Sequence, residues 1–134
     1  PDKQKLIKLV KLKKLNTQII FKKWDPNLKK YYEKSSVFIL ASLYEGMPNV
    51  LIEAINFNIP SIASDVSGVK DLLISGKGGI IYNRQNKNEL KKKMIYVINN
   101  YSLFVKKIKY AKSQLKKYEI NIAAEKYLKL LRDV

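Results

Sequence analysis

The sequence predicts an α/β fold built on a parallel sheet with flanking helices, ending in a helical C-terminal tail. Three observations predict it. Short β-prone runs recur at 37–40, 60–63 and 80–82. The stretches between and after them carry apolar residues at helical spacing. The first run, Val37-Phe38-Ile39-Leu40, is apolar throughout, which suits a parallel strand covered on both faces. Strands alternating with helices imply parallel pairing.

The elements follow in order. Leu6, Leu9 and Val10 share one helical face with Lys5, Lys8 and Lys11 opposite, so 3–15 reads as a helix covering something apolar. Asn16-Thr17 stops it, and 18–21 is a β-prone run. Asp25-Pro26-Asn27 starts a short helix over 27–34, with Pro tolerated in the first turn. After the 37–40 strand, 41–47 is a loop, and Pro48 opens a helix to about Phe57. A strand at 60–63, a short helix at 68–73, a Gly-rich turn at 76–79 and a strand at 80–82 complete the sheet. Helical spacing then runs from Lys87 through Leu90, Met94, Val97 and Ile98, over 103–118, and again over 120–131.

Composition narrows the chemistry. The 134 residues are 46% hydrophobic, enough for one core. There is no Cys and no His, which removes disulfides, thiolate metal sites and the commonest general base. Chemistry within this chain therefore falls to carboxylates, hydroxyls, lysines and backbone amides. The net charge of +16 invites a polyanion partner. Yet only Arg84 and Arg132 among 27 basic residues are arginine. Nucleic-acid readers favour Arg for bidentate contacts. The Lys, Ile and Asn abundance reads instead as AT-rich coding, and no nucleic-acid partner is expected. Attraction to an anionic membrane surface stays open, at about 1 kcal/mol per Lys near the leaflet. The opening Pro-Asp-Lys-Gln has neither an initiator Met nor a secretory signal, so a piece of a longer cytoplasmic protein is expected, peripheral on the inner membrane face at most.

The segment with chemical promise surrounds Pro48. Val50, Leu51, Ala54 and Ile55 fall on one side of its helix; Asn49, Glu53 and Asn56 fall on the other. Glu45 lies in the loop that feeds the helix, at the carboxyl end of the 37–40 strand, where ligands of open parallel sheets bind. A helix N-terminus offers free N–H groups and about half a positive charge, which suits phosphate. The amides of Asn49, Val50 and Leu51 are such groups; Pro48 has none. Gly46 permits close approach and an unusual φ. Phosphate on the amides with carboxylates to either side fits a diphosphate flanked by hydroxyl-rich sugars. Either Glu alone is equally explained as a partner of the helix dipole, worth about 0.3–1 kcal/mol. Tyr44 beside Glu45 is either a core-edge aromatic or a substrate contact. The lysine-rich stretches at 91–93, 106–107 and 116–117 read as solvated helix faces.

Over 37–82 the sequence resembles the donor domain of retaining GT-B glycosyltransferases of the large family four, also called glycosyl transferases group 1. The Glu, seven residues, Glu signature falls on Glu45 and Glu53. Ser42-Leu-Tyr-Glu-Gly-Met-Pro-Asn-Val-Leu-Ile-Glu-Ala54 resembles the family's loop and helix, and 59–71 and 79–82 resemble its following strands. The resemblance implies a Rossmann-like domain. It places Glu53 on the ribose hydroxyls and Glu45 facing the transferred sugar near its reacting centre. Gly46 and Met47 amides would meet sugar hydroxyls. Asn49, Val50 and Leu51 amides would hold the diphosphate. Phe21, Lys22, Lys23 and Trp24 would lie near the base. It implies a nucleotide-sugar donor (UDP-linked), a glycan or polyprenyl-linked acceptor, hexosyl or N-acetylhexosaminyl transfer in bacterial surface-glycan assembly, and no bound metal or other cofactor. Rivals outside that reading are a basic module binding nucleic acid or anionic membrane, and a GT-B epimerase or phosphorylase.

Three positions depart from the family pattern. Lys23 stands where Gly is usual, Met47-Pro48 replaces a commoner Phe-Gly, and Asn58 replaces a small residue. The resemblance also implies what lies outside 1–134: an N-terminal acceptor domain, and two earlier strands carrying a Gly-rich turn and an Arg/Lys pair. The chain would then be a partial donor domain, with a core at 18–85 and C-terminal helices at 87–133. In the family's sheet order, 3-2-1-4-5-6, the 18–21 strand has lost its neighbours. The isolated chain is expected to be inactive and marginally stable.

Overall fold

The computed structural model describes residues 2–118, together with Ile122 and Leu128. The helix expected over 120–131 lies outside the described residues, apart from those two positions. Three parallel strands form one sheet in the order β1-β2-β3: β1 Phe38–Leu40, β2 Ser61–Ser64 and β3 Ile80–Tyr82. The helices are α1 Asp2–Leu12, α2 Lys29–Tyr32, α3 Asn49–Asn56, α4 Val69–Leu72, α5 Lys87–Asn99 and α6 Tyr101–Gln114. A 3₁₀ turn, Leu115–Tyr118, extends α6.

The sheet is short, and its burial is graded. All four residues of β2 are buried, because β2 has a strand on each side. β1 differs from the expectation of two covered faces: Leu40 is buried, Phe38 is half-buried and Ile39 is 36% exposed. Its only ladder among the described residues is to β2, so a strand that reads as central is here an edge.

One face of the sheet is covered by α3, α4 and α6. Leu51, Ile55, Val69, Leu72, Leu73 and Ile108 meet Leu40 and Ala63 there. Each fully buried Leu or Ile contributes about 1.5–3 kcal/mol relative to exposure. The second cluster joins Ile62, Ile80 and Tyr82 to Val97 of α5 and Phe104 of α6. Close approach is made possible by Gly78, where an added Cβ would lie 2.5 Å from the Ala111 Cβ. The start of α5 is fixed by Asn86, whose side chain accepts from the Glu89 amide at 3.0 Å.

The N-terminal segment departs most from expectation. α1 forms, and it ends earlier than Asn16: Lys14 takes a left-handed φ of 54° and turns the chain. No residue of α1 is buried; Leu6 and Leu9 are each about half exposed. Residues 18–24 form no strand. Ile20 is 72% and Trp24 87% exposed. A β-prone run needs a ladder to satisfy its amides and carbonyls, and no strand stands beside this one among the described residues.

Candidate functional site

The site is built at the carboxyl ends of the strands. After β1 the chain runs through loop 41–48 into α3, and the residues singled out by sequence lie along it. Pro48 takes an extended ψ of 96° and caps the helix without a side-chain bond. Its carbonyl accepts the amides of Leu51 at 2.9 Å and Ile52 at 3.3 Å. The Leu51 amide is therefore already partnered within the first turn. Those of Asn49 and Val50 find no backbone acceptor among the described residues, as expected for the first positions of a helix. Two amides rather than the expected three are thus left without an acceptor at the helix start among the described residues.

Glu45 is half-buried and oriented. Ser42 Oγ donates to Glu45 Oε1 at 2.7 Å, and the Ser42 carbonyl in turn accepts from Ser64 Oγ at 2.7 Å. Ser64 is fully buried at the end of β2, so the carboxylate is tied through two hydroxyls to the buried central strand of the sheet. Gly46 does not need the unusual φ anticipated for it; its φ is not positive, and the space where a Cβ would sit is open within 4 Å. Its smallness leaves room for close approach to the backbone.

Glu53, half-buried one turn into α3, lies beside Tyr32 of α2. Tyr32 donates its hydroxyl to the Val50 carbonyl at 3.2 Å and stacks on Phe57, with ring centroids 5.3 Å apart. Burial, reinforced by the neighbouring Glu53 carboxylate, pushes the Tyr32 phenol up to about 12. Tyr32 thus bolts α2 to α3 and braces the helix on the Glu53 side.

The 21–24 stretch divides. Lys22 and Lys23 line a cavity of about 390 Å³ whose other walls include Tyr31, Tyr32, Phe38, Leu40 and Val50. Phe21 and Trp24 stand outside it. Phe21 lines a separate hollow of about 320 Å³ with Leu6, Leu9 and Ile19. Lys22 and Lys23 therefore share a concave surface with the start of α3, whereas Trp24 is held by nothing described.

Four contributing residues escaped sequence reasoning. Gly68 has φ +73°, and a Cβ there would collide with the Gly46 carbonyl oxygen and crowd Met47 Cα at 3.2 Å. Its absent side chain is what lets the 65–68 turn support the 46–48 loop. A Gly immediately before a short helix was the available signal. Ser42 and Ser64 orient Glu45, but a serine hydroxyl's partner is not legible from one sequence. Arg84 donates from Nη1 to the Leu43 carbonyl at 3.0 Å. Its signal was its rarity in a lysine-rich chain.

Known proteins resemble this chain in sequence and in fold. The sequence profile of the family described as "Glycosyl transferases group 1" matches residues 1–114. The Campylobacter jejuni GalNAc-alpha-(1->4)-GalNAc-alpha-(1->3)-diNAcBac-PP-undecaprenol alpha-1,4-N-acetyl-D-galactosaminyltransferase is 34% identical over 125 residues, 92% of this chain and 35% of that protein. The crystal structure of TarM superposes with a TM-score of 0.84 at 27% identity, covering 96% of this chain and 26% of TarM. HepE of Anabaena, solved in complex with UDP, shares the fold: TM-score 0.85 and 14% identity, over 98% of this chain and 36% of HepE. The chain spans about a third of the Campylobacter relative's length.

Proposed function

The chain belongs to the glycosyl transferases group 1 family, and from that premise we propose that it forms the donor side of a retaining glycosyltransferase. The reaction is transfer of a hexosyl or N-acetylhexosaminyl unit from a nucleotide-sugar, UDP-linked in this reading, to a lipid-linked or polysaccharide acceptor of bacterial surface glycan. The observation that carries the reading is the entry to α3: two amides without an acceptor among the described residues, Asn49 and Val50, with Glu45 before them and Glu53 after. The names of the Campylobacter relative, with its undecaprenol-linked glycan, and of the similar Staphylococcus aureus poly(ribitol-phosphate) alpha-N-acetylglucosaminyltransferase support the acceptor class and the amino sugar.

In this reading the diphosphate rests on the Asn49 and Val50 amides, where the helix dipole adds to their hydrogen bonds. Glu53 accepts from the ribose hydroxyls. Glu45, held by Ser42, faces the transferred sugar, with the Gly46 and Met47 amides on its hydroxyls. Lys22 and Lys23 flank the nucleotide from their side of the 390 Å³ cavity. As the glycosidic bond breaks, charge grows on the leaving phosphate, and preorganised amides and lysines stabilise it. No resident metal enters the scheme. Acceptor recognition belongs to a second, N-terminal domain of the same protein.

Titration of the protein carrying this chain with UDP-N-acetylglucosamine tests the reading. Wild type binds, and Glu53→Ala weakens binding by about 1–3 kcal/mol, the loss of a charged hydrogen bond. Unchanged affinity in that variant, with steeply salt-dependent DNA binding instead, would overturn it.

A further inference from the structure

Among the described residues of this lysine-rich chain Arg84 is the one arginine, and three loops at the carboxyl ends of the strands meet on it. Its backbone N–H donates to Asp65 Oδ1 at 2.8 Å. Its Nη1 donates to the Leu43 carbonyl at 3.0 Å. Its Cζ lies 5.6 Å from the centroid of the Tyr44 ring. Asp65 follows β2 and donates its own amide to the Tyr82 carbonyl at 3.0 Å. Arg84 thus connects the loop after β3 to the loops after β2 and β1.

The 41–47 loop has little else to hold it at its outer end. Leu43 is 63% and Tyr44 85% exposed, so neither packs into the core. The inner end is tied by Ser64 to Ser42. The outer end is tied by Arg84, whose planar guanidinium can both donate to a carbonyl and lie over an aromatic ring; a lysine ammonium has no such plane. Glu45 follows directly on the residues so held, and its carboxylate accepts from Ser42 Oγ.

The geometry points to Arg84 as a positioning residue: a clamp that fixes the 41–47 loop, and Glu45 with it, before the donor arrives. The donor half of this inference rests on the reading of the loop given above; the clamp itself does not. The contact is solvent-exposed and contributes little to global stability. Its effect is local and entropic. A loop already in its binding geometry loses less freedom when the ligand docks, and its acid stays aligned with the reacting centre.

Limited chymotrypsin digestion tests the clamp, because Leu43 and Tyr44 are exposed cleavage sites. Trp24, 87% exposed and touched by no residue of the clamp, is the internal reference. In the protein carrying this chain, Arg84→Ala raises cleavage after Leu43 and Tyr44 relative to Trp24 by about tenfold, with an unchanged melting temperature. Arg84→Lys falls between, and added methylguanidinium returns Arg84→Ala toward wild type. For the donor half, Arg84→Ala lowers kcat for UDP-N-acetylglucosamine turnover more than it raises KM, since the acid is misaligned while the phosphate amides remain. An unchanged cleavage ratio overturns the clamp. A raised ratio with unchanged kcat overturns its role toward the donor. Wild type that binds no UDP-N-acetylglucosamine sinks the donor half together with the reading of the site, while the cleavage ratio still decides the clamp.

Discussion

α1 and α3 carry the same kind of sequence signal and meet opposite fates. Each has apolar residues at helical spacing along one face. In α3 that face is closed over: Leu51 and Ile55 are fully buried against the sheet and α6, and Ala54 is fully buried with Tyr32 and Ile59. In α1 nothing is buried, and Leu6 and Leu9 share only a shallow hollow with Leu15, Ile19 and Phe21. Periodicity reveals which side of a helix wants to leave water. Whether anything is there to receive it depends on topology. The same holds for the two β-prone runs: 61–64 is flanked and buried, while 18–21 has no ladder and no strand geometry.

The largest expected effect tests this contrast directly. Ile62→Ala, in the middle of β2, removes a fully buried side chain and costs about 2–5 kcal/mol in a denaturant melt, whereas Leu9→Ala stays within about 0.5 kcal/mol. Comparable losses at the two positions would mean that α1 is packed after all. A smaller effect falls on the seam between core and site. Gly68→Ala combines a positive φ with a collision against the Gly46 carbonyl, and costs about 1–3 kcal/mol. Because the displaced atoms belong to the 46–48 loop, UDP-N-acetylglucosamine affinity falls along with stability in the same titration. A stability loss without an affinity loss would separate the loop from the site.

The smallest effect is a pH dependence. The Tyr32 phenol ionises near 12 in the fold, above its ordinary value near 10 in the unfolded chain. The neutral form is the one the fold prefers, so this contribution is fully present below about pH 10 and is lost as pH rises toward 12. Tyr32→Phe flattens that stretch of the stability curve. A variant curve that still falls as steeply between those values would mean that other groups carry the alkaline transition.

Much of the sheet was legible. The runs at 37–40, 60–63 and 80–82 became β1, β2 and β3 to within a residue or two, because short β-prone segments between helices have few alternatives. The side of α3 that faces the core was also legible. What was not legible depended on partners distant in sequence. The burial of β1 was overestimated because an apolar run cannot report which strand lies at the edge. The Leu51 amide, expected to be free, is taken by Pro48, a detail of first-turn geometry. The hydroxyl relay from Ser64 through Ser42 to Glu45 spans twenty-two residues of sequence and leaves no periodic trace.

The edge that β1 leaves without a partner among the described residues has a colloidal consequence for this stretch of chain taken by itself. Phe38 to Leu40 presents a row of main-chain donors and acceptors with Ile39 partly in solvent, a template onto which another copy's strand could add. The charge of +16 opposes that encounter, since two such molecules repel before their edges meet. The opposition has the range of the ionic atmosphere, about 10 Å at 0.1 M salt and 3 Å at 1 M. Solutions of this chain are therefore expected to stay clear in dilute buffer and to scatter light in concentrated salt, which removes the barrier and leaves the edge unchanged. Whatever its origin in coding, the excess of lysine sets how closely two copies of this chain approach at a given salt concentration.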